Sequence, residues 1–161
     1  MPPALFLIPL YLLLSQLKLI NTLWSLLVSY PTFSMPMACW LMLGYFRSIP
    51  EELEEAALLD GCSHLQAFFR IILPLSWPAI AAVSLFTLTQ AWNELMFAGF
   101  FLRSEANWTL PMGLARMVTG DVFPYGRMFA ASILMALPVT TFAILGQRAM
   151  ISGLTAGAVK G

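Results

Sequence analysis

The sequence predicts an all-α, polytopic transmembrane helix bundle with one charged helix-turn-helix loop. Hydrophobic residues make up 60% of the 161 residues, and the mean hydropathy is +0.81, well above the values of soluble domains. Several apolar runs contain few or no charged residues and approach or reach the length that a bilayer requires. One long stretch, residues 48–74, is polar and charged and lies between two very apolar halves. These observations predict an integral membrane protein.

Charge and cysteine content argue against several other classes of protein. Eight basic and eight acidic residues give no net charge, so the balance does not indicate nucleic acid or an acidic surface as a partner. Cys39 and Cys62 are too few for a disulfide framework, and we expect free thiols. Cys62 and His64 form a C-x-H pattern, but a zinc site needs about four ligands, so we expect no metal site.

The first apolar segment, residues 4–17, is predicted to be a partial span. Its apolar part amounts to little more than half of the roughly 20 residues that cross a bilayer. A signal peptide is the alternative, but the segment lacks a basic beginning and an A-x-A cleavage site.

Residues 23–46 are predicted to form the first complete span. This run contains no charged residue and is long enough to cross a bilayer with some tilt. Pro31 and Pro36 interrupt it, so we expect a kinked helix. Proline leaves backbone carbonyls that must be satisfied within a bundle, so the middle of this span should pack against neighbours.

The loop of residues 48–74 begins with a predicted helix. Ser48 and Glu51 match a capping box, and Pro50 fits the first turn. Gly61 stands where a helix commonly ends in a left-handed conformation. The chain is therefore predicted to turn at this glycine.

A second helix is predicted to follow the turn. Ser63 and Gln66 repeat the capping pattern, and Pro74 is expected to end the helix. Four apolar residues share one face at helical spacing: Leu65, Phe68, Phe69 and Ile72.

This loop resembles the EAA loop of the membrane subunits of ATP-binding-cassette importers. The pattern is E-A-A, three residues, G, nine residues, then I-x-L-P. Every fixed position matches, at Glu55, Ala56, Ala57, Gly61, Ile71, Leu73 and Pro74. The longer run IPEELEEAALLDG, which includes Asp60, resembles the carbohydrate-importing branch, as do WNEL at residues 92–95 and GLTAGAVKG at the C-terminus. Within that branch the chain is similar to the smaller permease of the maltose type, over nearly its whole length.

The resemblance implies that the loop couples transport to an ATPase on a separate chain. In that family the helix with the E-A-A residues inserts into a cleft on the ATPase, and small side chains at Ala56 and Ala57 allow a close approach. The alternative is an amphipathic hairpin that lies on the membrane without a partner. Members of the family usually have six spans, and this sequence has room for three complete ones. We therefore expect the C-terminal half to two-thirds of a permease.

Residues 78–102 are predicted to form the next span, with a polar interior that includes Gln90, Asn93 and Glu94. A carboxylate within a span costs about 3 kcal/mol on insertion scales, so it usually faces a bundle interior or a water-filled path. One interpretation is that these three residues present hydrogen-bonding groups to a polyhydroxylated solute. The other is that they connect this span to a neighbouring helix or to a partner permease.

The remainder of the chain is predicted to hold a polar connection and a final span. Residues 104–127 include Gly120 and Asp121 and have room for a short helix around residues 112–118. Residues 128–145 are the last predicted span, bent at Pro138, before a tail of small residues.

Orientation does not follow from charge. Basic residues divide four against four between the two sides: Arg47, Arg70, Arg148 and Lys160 against Lys18, Arg103, Arg116 and Arg127. The resemblance instead implies a cytoplasmic EAA loop and C-terminus in a multi-pass protein of the cytoplasmic membrane.

Sequence motifs give no support for catalysis. The chain has no phosphate-binding loop and no metalloprotease or serine-hydrolase motif, so we expect ATP and Mg²⁺ on the partner ATPase and no cofactor here. The acidic residues at the start of the first loop helix match the positive end of the helix dipole rather than an acid/base pair: Glu51, Glu52, Glu54 and Glu55.

Together these features predict the permease subunit of an ATP-driven importer for a sugar or related polyol. The implied partners are a second permease, an ATPase dimer, an extracytoplasmic solute-binding protein and the lipid bilayer. A glycerol-phosphate importer is an alternative of the same class. A membrane structural or assembly protein that uses the loop only as an anchor is an alternative of another class.

Overall fold

The structure is a computed structural model that describes the backbone of residues 3–118 and 123–158 and the side chains of residues 4–118 and 123–144. Gly120, Asp121 and Lys160 lie outside these residues. Within the described ranges the chain is all-α, with helices joined by turns and no strand. The predicted fold class is therefore confirmed.

The N-terminal part holds three helices. A 3-10 turn, Pro3–Phe6, leads into α1, Leu7–Gln16. Helices α2, Leu23–Ser29, and α3, Pro31–Phe46, are separated only at Tyr30. Pro31 is the first residue of α3, where a missing N–H needs no helical partner.

Hydroxyl groups around this break satisfy backbone carbonyls. Ser29 donates to the Ser25 carbonyl at 2.6 Å, Thr32 to the Ser29 carbonyl at 2.6 Å, and Ser34 to the Tyr30 carbonyl at 2.9 Å. Such bonds matter in a span because lipid offers no alternative donor.

The middle of the chain begins with α4, Glu52–Leu59, and α5, His64–Ala67. A π-helical segment, Phe68–Ile72, continues into α6, Leu73–Leu75. Helix α7, Trp77–Trp92, follows. The helical run His64–Leu75 meets the run that begins at Trp77 with a bend of 66°.

The C-terminal part holds three further α-helices. Helix α8, Met96–Phe101, is followed by a 3-10 turn, Glu105–Asn107, and by α9, Leu110–Arg116. Helix α10, Tyr125–Ala158, contains Pro138 and extends well beyond the predicted end of the last span at residue 145. The predicted tail is helical as far as it is described, because it contains no proline and its alanines favour helix.

By length and composition, two helices of the described chain can cross a membrane: Leu23–Phe46 and Tyr125–Ile144. The bent pair, His64–Leu75 with Trp77–Phe101, is a third candidate if it forms one span. Large apolar side chains are exposed along these segments, among them Trp40 at 67% and Phe129 at 68%. Lipid or other spans would cover such surfaces in a membrane protein.

The chain divides into two compact units. The first contains residues 1–36 and 88–141, and its core is formed by Leu14, Leu26, Phe97, Ala98, Phe101, Leu102 and Met112. The second contains residues 37–87 and 142–161, and the buried residues among its described side chains are small: Ala57, Ala67 and Ser76. The predicted coupling loop therefore lies in a unit whose helices approach each other through small side chains.

Candidate functional site

The first loop helix, α4, begins without the predicted capping box. Glu51 occupies the cap position, and no side chain in the described part of the chain caps this helix. The Ser48 hydroxyl instead donates to the Tyr45 carbonyl at 2.6 Å. The prediction for Ser48 was wrong because α3 extends almost to this serine and leaves a C-terminal carbonyl that the hydroxyl satisfies.

The turn between the loop helices matches the prediction. Gly61 has φ +86, which is the left-handed conformation. Its N–H donates to the Leu58 carbonyl, and the Cys62 N–H donates to the Ala57 carbonyl, both at 3.0 Å. These two bonds form a complete Schellman motif.

The second capping box is also confirmed. The Ser63 N–H donates to Gln66 Oε1 at 2.9 Å, and the Gln66 N–H donates to Ser63 Oγ at 3.4 Å. The turn and the start of α5 are thus held by bonds among neighbouring residues.

We expect Ser63→Ala to weaken the first turn of α5 by about 1 kcal/mol, because it removes the cap acceptor. Hydrogen exchange at the Gln66 amide in the detergent-solubilised importer measures this effect. Ser48→Ala is the matched control and should leave exchange in α4 unchanged, because Ser48 does not cap that helix. Equal protection of Gln66 in wild type and Ser63→Ala would contradict the prediction.

Pro74 does not end the second loop helix, contrary to the prediction. The helical run passes through Pro74 and breaks at Ser76. A proline ring collides with the carbonyl four residues earlier in a regular α-helix. Here the preceding turns are π-helical, from Phe68 to Ile72, and their wider path makes room for the ring.

The break at Ser76 is held by side chains from two helices. Ser76 is fully buried, and its hydroxyl donates to the Ile72 carbonyl at 2.7 Å. The Tyr45 hydroxyl, from α3, donates to the Leu75 carbonyl at 2.8 Å. The carbonyl of Leu75, the last residue of α6, therefore keeps a hydrogen-bond partner at the bend.

The two alanines of the E-A-A pattern differ in burial. Ala57 is 3% exposed and packs inside the loop, whereas Ala56 is exposed. Ala57 therefore does not lie on the surface that the loop presents. The other residues of the motif are exposed or half-buried: Glu55, Asp60, Gly61 and Pro74 are exposed, and Ile71 and Leu73 are half-buried.

A groove of about 400 Å³ lies beside the loop helices. His64 Nδ1 lies 2.9 Å from Glu54 Oε1 across the turn, and both side chains are largely exposed. Such a pair contributes little to stability. Within the described chain no three His, Cys, Asp or Glu residues are grouped to hold a metal ion. The groove is lined by Phe46, Arg47, Ile49, Pro50, Glu51, Glu54, His64, Phe68 and Ile72.

The polar residues of the predicted solute path lie at the end of α7. Gln90 is exposed on the helix. Asn93 is exposed too, and its Nδ2 donates to the Thr89 carbonyl at 2.8 Å. The predicted continuous span is interrupted at residues 93–95.

Glu94 accepts hydrogen bonds from the start of α8. The Phe97 N–H donates to one carboxylate oxygen at 2.7 Å, and the Ala98 N–H donates to the other at 3.1 Å. The sequence contained a weak signal for this interruption, because asparagine, here Asn93, favours turns and the residues that precede a new helix.

Asn21 has φ +62, and no sequence pattern predicts a role for it. Its Oδ1 accepts from the backbone N–H groups of Arg103 at 2.9 Å and Ser104 at 2.8 Å. Its own N–H donates to the Phe101 carbonyl at 2.9 Å, and Asn107 Nδ2 donates to its carbonyl at 2.6 Å. Asparagine tolerates the left-handed conformation better than most residues, which is a weak signal that the sequence did contain.

Comparison with known proteins identifies related membrane components. The chain is 40% identical over 157 residues to the inner membrane ABC transporter permease protein YcjP of Escherichia coli, covering 98% of this chain and 56% of the relative. It is 38% identical over 154 residues to the trehalose/maltose transport system permease protein MalG of Thermococcus litoralis, covering 94% of this chain and 55% of the relative. The chain thus spans about half the length of these relatives.

A solved structure and a protein family also match. A bacterial ABC transporter involved in the import of the acidic polysaccharide alginate has a chain with a TM-score of 0.57 and 25% identity, covering 95% of this chain and 56% of that chain. Residues 1–154 match the family described as the binding-protein-dependent transport system inner membrane component. Because this match extends over nearly the whole chain, the protein belongs to the family of binding-protein-dependent transport system inner membrane components.

Proposed function

We propose that this chain is part of the permease subunit of an ABC importer that moves a sugar or related polyol across the cytoplasmic membrane by alternating access. The observation that carries the proposal is the loop of residues 48–74. It has every fixed residue of the EAA pattern, it turns at Gly61 with φ +86, and Glu55 and Ala56 are exposed on α4. A sugar is favoured because relatives are named for trehalose/maltose transport and for diacetylchitobiose uptake.

The loop is the proposed contact with the ATPase. Three glutamates lie in the first turn of α4, Glu52, Glu54 and Glu55, and Asp60 is exposed at its end. These charges suit a basic cleft on a partner protein. ATP and Mg²⁺ would be bound by that ATPase dimer, and the loop and the C-terminus would face the cytoplasm.

The solute path is proposed to pass the polar end of α7, with Gln90 and Asn93 as the groups that meet the solute and Glu94 beside them. Gln90 and Asn93 are both exposed, and Gln90 is the better placed to meet a solute because Asn93 Nδ2 donates to the Thr89 carbonyl. A second permease subunit would complete the path, and an extracytoplasmic solute-binding protein would deliver the sugar to the connection of residues 104–127.

Transport should require the complete assembly. We expect no uptake of maltose, trehalose or diacetylchitobiose by vesicles that contain this chain alone. Co-reconstitution with the second permease, the ATPase and the solute-binding protein should give ATP-dependent uptake of a sugar from this panel. An ATPase variant that cannot hydrolyse ATP is the control and should abolish uptake. Uptake by the chain alone, or an inactive complete assembly, would overturn the proposal.

A further inference from the structure

Helix α8 is short, is buried on one face, and is bonded at both ends by residues outside it. It has six residues, Met96–Phe101. Phe97, Ala98 and Phe101 are at most 1% exposed, and they pack in the core of the first unit with Leu14, Leu26, Leu102 and Met112. A six-residue helix has little stability of its own, so its position depends on these contacts and on its ends.

Glu94 satisfies the first end. In a continuous helix the N–H groups of Phe97 and Ala98 would bond to the carbonyls four residues earlier, but the chain is interrupted at residues 93–95. The two Glu94 oxygens replace those carbonyls. The phenol of Tyr30, the residue between α2 and α3, also lies beside the Glu94 carboxylate.

Asn21 satisfies the other end. Its backbone N–H bonds to the carbonyl of Phe101, the last residue of α8. Its side-chain oxygen accepts from the next two free N–H groups, those of Arg103 and Ser104. Asn21 thus bonds to three backbone groups within residues 101–104. The N–H of Leu102 bonds to the Ala98 carbonyl instead.

We propose that Glu94 and Asn21 are positioning residues that hold α8 in place, and that Glu94 serves transport through α8 rather than by contacting the solute. Both carboxylate oxygens point at backbone N–H groups of the chain itself, whereas Gln90 on the same span is exposed. The part of this inference that concerns transport rests on the proposed function. The part that concerns the anchoring of α8 does not.

Cysteine labelling tests the anchoring. The complete importer would carry Cys39→Ser and Cys62→Ser to remove native thiols, and Leu102→Cys as the reporter, since Leu102 is 2% exposed. We expect slow reaction with a membrane-impermeant maleimide. Glu94→Gln should accelerate maleimide labelling at position 102 about tenfold, because the amide has one acceptor oxygen and turns an NH₂ group toward a backbone N–H.

Three further variants sharpen this experiment. Asn21→Ala should accelerate labelling similarly, since it removes the acceptor of two N–H groups. Glu94→Asp keeps two acceptor oxygens and should restore part of the protection. Glu105→Gln is the matched control and should leave the labelling rate at position 102 unchanged, because Glu105 is an exposed carboxylate on the connection after α8. Unchanged labelling in Glu94→Gln and Asn21→Ala would overturn the proposal, and Asn21→Ala decides it if Glu94→Gln fails to insert.

Uptake kinetics distinguish positioning from solute contact. With the panel sugar that gives the highest uptake rate, Glu94→Gln should lower the maximal rate about tenfold and leave KM unchanged. Asn21→Ala, which lies outside the proposed path, should do the same. A raised KM at an unchanged labelling rate would instead make Glu94 a solute contact. If the wild-type assembly transports no sugar, the proposed function fails while the labelling result still decides the anchoring of α8.

Discussion

Replacing Gly61 by leucine should uncouple ATP hydrolysis from solute movement while the chain still inserts into the membrane. Gly61 has φ +86, and a residue with a side chain is less stable in this conformation by about 1–2 kcal/mol. The strain falls on the Schellman bonds from Gly61 and Cys62, which set the direction in which α5 leaves the turn. We therefore expect α4 to reach the ATPase in a changed orientation, so that the ATPase dissociates or hydrolyses ATP without uptake.

A pair of alanine variants isolates the conformational cause. A Cβ atom added at Gly61 or at Gly44 would meet nothing within 4 Å in the described part of the chain, and only Gly61 has positive φ. Gly61→Ala should therefore impair coupling, whereas Gly44→Ala should be neutral. The measurements are ATPase pull-down, solute-stimulated ATP hydrolysis and uptake in proteoliposomes of the whole complex. Wild-type values for Gly61→Leu in all three assays would show that the turn does not govern coupling.

Ala57→Trp should disrupt the loop itself, whereas Ala56→Trp should disrupt only its contact with the ATPase. Ala57 is 3% exposed, and a larger side chain at a packed position costs about 1–3 kcal/mol, more where an indole must fit. Ala56 is the adjacent residue on α4 and is exposed, so its replacement leaves the packing of α4 intact. Both variants replace an alanine of α4. Ala57→Trp affects the packed face of the helix, and Ala56→Trp affects the exposed face.

Protease sensitivity and ATPase binding together separate these effects. Ala57→Trp should increase cleavage within residues 48–74 in the detergent-solubilised importer and should also weaken ATPase pull-down. Ala56→Trp should weaken pull-down at wild-type protease resistance. If Ala57→Trp retains both the protease resistance and the ATPase, then Ala57 does not support the loop. If Ala56→Trp binds the ATPase normally, then this face of α4 does not dock.

Two serines in the same sequence pattern had different structural outcomes. Ser63 caps α5 with Gln66 as predicted, because the turn at Gly61 leaves Ser63 in an extended conformation at a free helix start. Ser48 has the same spacing to Glu51, but it lies two residues after the end of α3 and donates to the Tyr45 carbonyl. A capping pattern predicts a cap only where the preceding residues are not helical themselves.

The roles of Pro74 and Glu94, which lie within apolar helical segments, also became clear only from the structure. Pro74 was expected to end a helix, but the π-helical segment before it allows the helix to continue. Glu94 was interpreted as a group for a solute or a neighbouring helix, and its oxygens bond to α8. In both cases the local backbone changes its hydrogen-bond pattern, which residue preferences alone do not predict.

Properties that depend on composition and on short-range bonds could be predicted from the sequence. Apolar content predicts an all-α membrane protein, because only internally bonded backbone is stable in lipid and few strand signals are present. Gly61 and Ser63 act through partners within five residues, so their roles are readable from spacing. Tertiary structure alone decided that Ala57 is buried while Ala56 is exposed, and that Asn21 bonds to residues 101–107. Ala57 is buried where α4 meets the helices that follow it, and the Asn21 bonds join segments far apart in the chain. No local pattern specifies which of these groups will meet.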